Sequence, residues 1–283
     1  MKSTRPLSSH VPPLISAGLN DETVFLLETF RTGLATWMDI FDFQKTYERE
    51  VTKRALRSDI LRLCICAFTA KNLSLLTPGE VWDSIASRYY GEALNHMIAA
   101  VTCEDPDSAS DTLTAALLLS SYEVIGVSSI SHQSHMKGAM NLIMTKGISS
   151  TSVGLDRANF IVFIRHEIWI ALNNEMPLQF DLQRWNTVKP SMGASEYDIA
   201  QYLMFLIGAV VNTIYQLEND DTTSDRKKLN NQLDEWYNLT TPEFRGVGYG
   251  EVYDHEPRGI FFPIPATGID FRSDLLSLLT LRC

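Results

Sequence analysis

Histidines and paired polar side chains are the residues of this 283-residue chain that could do chemistry. His132 and His135 are three residues apart, a spacing that could place both on one helix face as a pair of metal ligands. Ser134 is predicted to cap that helix, which leaves His132 in the preceding loop. No acidic residue lies close in sequence to complete a ligand set, so no metal site is predicted.

Two acidic patterns invite comparison with the carboxylates that hold magnesium and diphosphate in helical terpene cyclases. Asp39 and Asp42 are three residues apart, and Asn219 with Asp220 begins like a second metal motif. The dense aspartate cluster of those enzymes is missing, and Lys227 stands where a glutamate is needed. A solvated acidic turn is the simpler interpretation, and no cofactor is predicted.

Other catalytic signatures are weak or missing from the sequence. His166 and Glu167 form a His-Glu pair that lacks the second histidine of a zinc protease motif, so Arg165 and Glu167 are predicted to have structural or pocket-edge roles. Cys64 and Cys66 are two apart in an apolar run, where helix geometry points them in different directions, and they are predicted to be small buried side chains. The sparse cysteines indicate a reducing compartment.

Composition excludes two classes of partner. The net charge of −10 argues against a nonspecific grip on DNA phosphates, which relies on clustered Lys and Arg. The longest apolar run, Leu203 to Val211, is interrupted by Gly208 and is far shorter than the roughly 20 residues of a membrane helix. The sequence therefore predicts neither direct nucleic acid binding nor a membrane span.

Helical periodicity runs through nearly all of the chain and predicts an all-α fold. The class is a single irregular multi-helix domain of about eight to ten helices with a loop-rich C-terminal quarter. Residues 1–20 are predicted to form a flexible N-terminal arm, and residues 21–283 to form the domain. Helix starts are predicted at Asp21, Asp59, Asp111 and Ser134, and ends at Gly126 and Gly147. Residues 242–270 are predicted to be a long loop.

Several segments in register resemble the regulatory, or middle homology, domain of fungal transcription factors that carry a zinc binuclear cluster. They are LLETFRTGLATWMDIFDF at 26–43, DILRLCICAFTAKNLSLL at 59–76, YYGEALNHMIAAV at 89–101, TAALLLSSYEVIG at 114–126 with SHMKGAMNLIMTKG at 134–147, and RHEIWIALNNEMPLQFDLQRW at 165–185. A weaker match is LDEWYNLTTPEFR at 233–245, followed by a Phe-Pro element at 261–265. Together these segments span roughly residues 22–265.

The matched segments carry packing residues more than catalytic ones. Gly138 and Ala139 are small enough to let a neighbouring helix approach closely, and Glu123 is placed to pair with Lys137 across two adjacent helices. Trp169 and Trp185 are large enough to anchor the core. The resemblance therefore implies the fold more directly than it implies an activity.

The resemblance implies a transcription-factor-like regulatory domain that binds a small hydrophobic metabolite or a regulatory protein, in the nucleus or cytoplasm of a fungus. A homodimer is one option for its assembly. The six-cysteine zinc cluster of the family is missing from these 283 residues, which end about 18 residues after the Phe-Pro element. We therefore expect either an excised regulatory domain or a stand-alone protein, without a DNA-binding module of its own.

An alternative function stays open at this point. A stand-alone copy of such a domain could be a fungal biosynthetic enzyme, a cofactor-independent cyclase or isomerase acting on a hydrophobic natural product in an apolar pocket. The sequence identifies no catalytic residue for that reaction. The candidates for contacting a ligand are polar or aromatic side chains within the matched helices: Tyr122, Glu123, His135, Arg165 and Trp169.

Overall fold

The computed structural model describes residues 19–77, 81–102, 109–126, 132–216, 222–241, 245, 247–249 and 259–261. Its α-helices are α1 (Asp21–Thr29), α2 (Ala35–Met38), α3 (Thr52–Ala55), α4 (Asp59–Leu76), α5 (Trp82–Thr102), α6 (Ala109–Ile125), α7 (His132–Lys146), α8 (Gly154–Asn173), α9 (Glu196–Tyr215) and α10 (Thr222–Leu239). Two π-helical turns, Phe30–Leu34 and Tyr47–Val51, precede α2 and α3, and a 3₁₀ turn spans Leu182–Trp185. The predicted all-α class is confirmed. The predicted arm falls outside the described residues except for Leu19 and Asn20.

Three of the predicted helix starts are displaced by one or more residues. Asn20, not Asp21, caps α1: its backbone is extended and its Oδ1 accepts a 2.8 Å hydrogen bond from the Thr23 amide. Asp111 lies in the first turn of α6, where the positive end of the helix dipole stabilises its carboxylate. Ser134 lies inside α7, so the predicted cap there is wrong and His132 belongs to the helix. The predicted end of α7 is correct, because Gly147 adopts a left-handed φ of 65°.

The core forms where the most apolar helices meet. Helix α6 packs against α4, α7 and α8, and α9 packs against α8 and α10. Helix α6 therefore has neighbours on several sides, which explains why it is apolar on almost every side: residues 112–121 are all buried. Cys64 and Cys66 are free and buried on α4, as predicted.

Helix α9 is long and apolar enough to cross a membrane when judged by length and composition alone. Most of its apolar stretch is instead buried inside the protein. Helix α9 packs closely against its neighbours at Gly208. A Cβ added there would lie 2.9 Å from Leu182 Cδ2 and 3.0 Å from Trp185 Cη2. A close approach of this kind was predicted at Gly138 instead. Gly138 is surface-exposed, and a Cβ added to it would meet nothing within 4 Å.

The region predicted to be a long loop contains a short antiparallel ladder. Strands β1 (Val247–Tyr249) and β2 (Gly259–Phe261) pair with Gly248 opposite Ile260. Each strand has three residues, so the ladder leaves the all-α class unchanged. The rest of the predicted loop and the final apolar run lie outside the described residues, apart from Arg245.

Candidate ligand-binding cleft

Three of the five predicted ligand-contacting residues form one cluster between α5, α6 and α7. Glu123 is 4% exposed, and its Oε1 accepts a 2.6 Å hydrogen bond from the Tyr90 hydroxyl. Nε2 of His135 lies 3.4 Å from both of those oxygen atoms. Tyr122 stacks on Tyr90 with 4.5 Å between ring centroids. Burial, followed by the hydrogen bond to Glu123, raises the pKa of Tyr90, which keeps its phenol protonated as the donor.

Tyr90 is the member of this cluster that the sequence analysis missed. It lies within the matched segment at 89–101, but nothing in the sequence indicates which side of α5 faces Glu123. Lys137, the partner expected for Glu123, is exposed on α7 instead. Position 137 points away from α6 because the buried face of α7 is set by Met136, Ala139 and Ile143.

Arg165 and Trp169, the other two predicted residues, lie apart from that cluster. The Arg165 guanidinium donates to the backbone carbonyls of Trp37 and Met38, each at 3.0 Å, and lies 4.6 Å from the centre of the Trp37 ring. It therefore satisfies the C-terminal carbonyls of α2. Trp169 is 40% exposed and does not anchor the core, whereas Trp185 is fully buried as predicted.

Glu167 is also structural. Its Oε1 accepts hydrogen bonds from the amides of Gln179 and Phe180, so it holds the chain that leaves α8. His166 is buried beside Ser121, with 3.3 Å between Nε2 and Oγ. Burial, and after it the charge of Arg165, lowers the pKa of His166 to about 3, so this imidazole is neutral.

Of the residues compared with magnesium ligands, Asp39 and Asp42 cap backbone amides, whereas Asn219 and Asp220 lie outside the described residues. Asp39 accepts from the amides of Tyr47 and Glu48, each at 2.8 Å, and Asp42 accepts from Gln44 and Thr46. Both side chains are buried, so the interpretation as a solvated turn is wrong for this pair. Within the described residues, no group of three His, Cys, Asp or Glu side chains could hold a metal ion.

A cleft of about 720 Å³ lies on another side of the domain. Its walls are residues 42–44, residues 150–153, residues 187–191 and the start of α9, together with Arg157 and Gln201. None of the five residues predicted from the sequence lines it. A second cavity of about 740 Å³, lined by Leu19, Val24, Leu27, Leu56 and six charged or polar side chains, is an open surface groove.

Hydrogen bonds fix the loops around the cleft. The Ser150 amide donates to the Trp185 carbonyl and its hydroxyl donates to the Asn186 carbonyl, each at 3.0 Å. The Tyr197 hydroxyl donates to the Ser150 carbonyl at 3.0 Å. Burial raises the pKa of Tyr197 to about 12, so the phenol remains a donor at physiological pH. The walls are therefore held to each other and to the buried Trp185.

Two polar side chains of the cleft have buried atoms without partners. Gln201 is 3% exposed, and within the described part of the chain neither its amide oxygen nor its amide nitrogen has a hydrogen-bond partner. Nε of Arg157 is buried in the same unpaired state, and the guanidinium stacks 4.5 Å from the centre of the Tyr197 ring. Unpaired buried polar groups are costly and rare in native proteins, so these atoms make the cleft the candidate site for a polar ligand.

Among the described residues, one cation of the cleft has no ion-pair partner. Lys189 is paired with Glu235, and the Asp198 carboxylate accepts from the Ser195 hydroxyl at 2.7 Å. Asp42 is engaged with backbone amides, as above. Arg157 makes no ion pair with any described residue, so its charge is the one available to a bound molecule.

The sequence carries no recognisable signal for this cleft. Its residues come from three distant segments, and half of them are serine, threonine, valine or proline without a recognisable spacing. Arg157 and Gln201 each look like ordinary polar positions on amphipathic helices. Only the packing of α8 against α9 brings them to one site.

Comparison with known families supports the resemblance noted from the sequence. The family model described as the fungal specific transcription factor domain matches residues 25–245. No curated protein and no solved structure matches the chain. The family match covers both the Glu123 cluster and the cleft.

Proposed function

Because this chain belongs to the family of fungal specific transcription factor domains, we propose that it is a regulatory domain whose output depends on a small metabolite bound in the cleft. Family membership supports a transcription-factor-like regulatory role and suggests a nuclear function. Control of the domain by a bound metabolite is the further step that we propose. The observation that carries it is the amide of Gln201, which has no hydrogen-bond partner among the described residues and is buried at the wall of a cleft large enough for a small molecule.

The position of the cleft explains how occupancy could be transmitted. Its walls include residues 42–44 ahead of α3, the turn before α8 and the N-terminal end of α9. A compound that contacts all three would favour the arrangement in which these segments are packed together. The effect requires different affinities for two arrangements of the domain, which is the general condition for a ligand-controlled switch.

Affinity selection with mass spectrometry tests this function directly. The purified protein is incubated with a fungal small-molecule extract, and the retained compounds are identified. Ser191 is exposed and lines the cleft, so Ser191→Trp is expected to obstruct it. The matched control is Met192→Trp, because Met192 is 86% exposed and is not part of the cleft wall.

We expect at least one compound to be retained by the wild type and by Met192→Trp but lost in Ser191→Trp. Equal retention by all three proteins would place binding elsewhere, and no retained compound would overturn the proposal. Conversion of a retained compound during the incubation would instead favour the alternative of a stand-alone cyclase or isomerase.

A further inference from the structure

From the chemistry of the cleft wall we propose that the ligand is a small organic anion whose acidic group binds Arg157 and whose neutral polar group pairs with Gln201. This inference rests on the proposed function, because it names the chemical class of the molecule that the cleft takes. It departs from the hydrophobic metabolite expected from the sequence.

Arg157 is the first element of this recognition. A guanidinium presents its donors in a planar fork that matches carboxylate or phosphate oxygens. The stacking of Arg157 on Tyr197 holds that plane in one orientation before a ligand arrives. Its Nε is already desolvated and unpaired, so binding an acidic group would supply the missing hydrogen bond.

The N-terminal end of α8 adds to the preference for negative charge. This helix has 20 residues, and its N-terminal cap, Val153, lines the cleft, whereas the start of α9 is already capped by the Ser195 side chain. Val153 offers no side-chain cap, so the first amides of α8 remain available as donors. The N-terminal ends of helices carry partial positive charge and favour anions.

Gln201 supplies the neutral half of the site. Both its amide atoms are buried and unpartnered, so it can donate one hydrogen bond and accept another from the same ligand group. A primary amide, or a hydroxyl that both donates and accepts, satisfies it; a hydrocarbon does not. A purely apolar ligand would leave three polar atoms of Arg157 and Gln201 buried and unpaired.

The acidic side chains of the cleft do not cancel this preference. Asp42 and Asp198 are both in the wall, but Asp42 already accepts hydrogen bonds from the amides of Gln44 and Thr46, and Asp198 accepts one from the Ser195 hydroxyl. Lys189 is the second cation, and Glu235 neutralises it from α10. Arg157 is thus the charge that a ligand can engage without breaking an ion pair.

Matched probes separate anion recognition from binding in general. Dissociation constants are measured by NMR titration for N-acetyl-L-glutamine against its neutral C-terminal amide, and for glycerol 3-phosphate against glycerol. We expect one anion of the two to bind at least about tenfold more tightly than its neutral analogue, as charge-assisted hydrogen bonds require. Preference for the carboxylate or for the phosphate then identifies the acidic group.

Three substitutions at two positions assign the residues. Arg157→Gln is expected to remove the preference for the anion, while Arg157→Lys retains part of it because the charge remains but the fork is lost. Gln201→Met keeps the side-chain volume close to the original and removes both orphaned atoms. It is expected to weaken binding of N-acetyl-L-glutamine about tenfold while leaving the melting temperature unchanged or higher.

The outcomes distinguish this inference from the function it rests on. Equal affinity for every anion and its neutral analogue, or a preference that survives Arg157→Gln, overturns the anion class even if extract compounds still bind in the cleft. Unchanged binding in Gln201→Met overturns the neutral contact. If the affinity selection described above also retains nothing, the proposed function fails together with the inference.

Discussion

The hydroxyl of Tyr90 donates to a carboxylate oxygen of Glu123 that is removed from solvent, and His135 closes the other side of the pair. This contact joins α5 to α6 at a point where Glu123 Oε2 has no partner among the described residues. Tyr90 and His135 therefore supply the polar contacts that offset the burial of Glu123.

Tyr90→Phe is expected to lower the free energy of unfolding by about 1–3 kcal/mol, since it leaves a buried carboxyl oxygen with one hydrogen bond fewer. Urea denaturation measures the change. A double-mutant cycle with Glu123→Gln isolates the pair, and a coupling energy near zero would show that the carboxylate finds other compensation.

The approach of α9 to Trp185 makes a second prediction. In Gly208→Ala, the new methyl group would lie within 3.0 Å of the Trp185 ring and of the Leu178 and Leu182 methyl carbons, so the stability should fall by about 1–3 kcal/mol. Gly91→Ala is the matched control: it is also in a helix, but its added Cβ meets nothing within 4 Å. That variant should gain about 0.5–1 kcal/mol, because alanine is the better helix former. Equal effects of the two substitutions would contradict the close packing.

Asp39 gives the domain a pH dependence. Burial raises the pKa of this carboxyl to about 7, against the lowering effect of its two amide donors. The folded state then binds a proton more tightly than the unfolded state, so the contribution to stability is largest below the unfolded pKa near 4 and is lost as the pH rises to about 7. The expected slope is at most about 1.4 kcal/mol per pH unit.

Asp39→Asn removes this titration. Denaturation curves at pH 4 to 9 should show the wild type losing stability relative to the variant up to about pH 7, and a nearly constant difference above about pH 8. A difference that grows in the opposite direction would mean that the hydrogen bonds from Tyr47 and Glu48 outweigh burial.

The buried thiols should be chemically silent in the folded protein. Burial raises the pKa of Cys66 to about 12 and that of Cys64 further, so neither presents a reactive thiolate near neutral pH. Peptide mapping after iodoacetamide treatment at pH 8 should find Cys64 and Cys66 unmodified under native conditions and alkylated in concentrated urea. Rapid alkylation of either thiol in the native protein would contradict the burial of that cysteine on α4.

Periodicity predicted the helices well because most of their apolar residues face the core. The class followed from this pattern, the end of α7 from the glycine at position 147, and the family from the resemblance of whole segments. The caps were less predictable: Asn20 and Asp21 are chemically equivalent at a helix start, and the local backbone conformation decides which of them accepts the amide. The face of each helix that meets a given neighbour was not predictable either. For this reason Lys137 was paired with Glu123 in place of Tyr90, and Gly138 was expected at the helix contact that Gly208 makes.

The candidate cleft depends on tertiary structure still more strongly. Residues 42–44, Arg157 and Gln201 are distant in the chain, and each has an ordinary local role as a loop or helix residue. Burial reveals them, because a polar amide is expected on the surface until packing shows it enclosed without a partner.

A cleft built from such distant segments connects the first helices of the domain with α9. A compound bound only to the folded form would add about 2.7 kcal/mol to its stability at a concentration one hundred times the dissociation constant. The unfolded fraction exposed to cellular proteases would decrease accordingly. The abundance of this protein would then rise and fall with the supply of the compound, which would control gene expression through the lifetime of the regulator as well as through its shape.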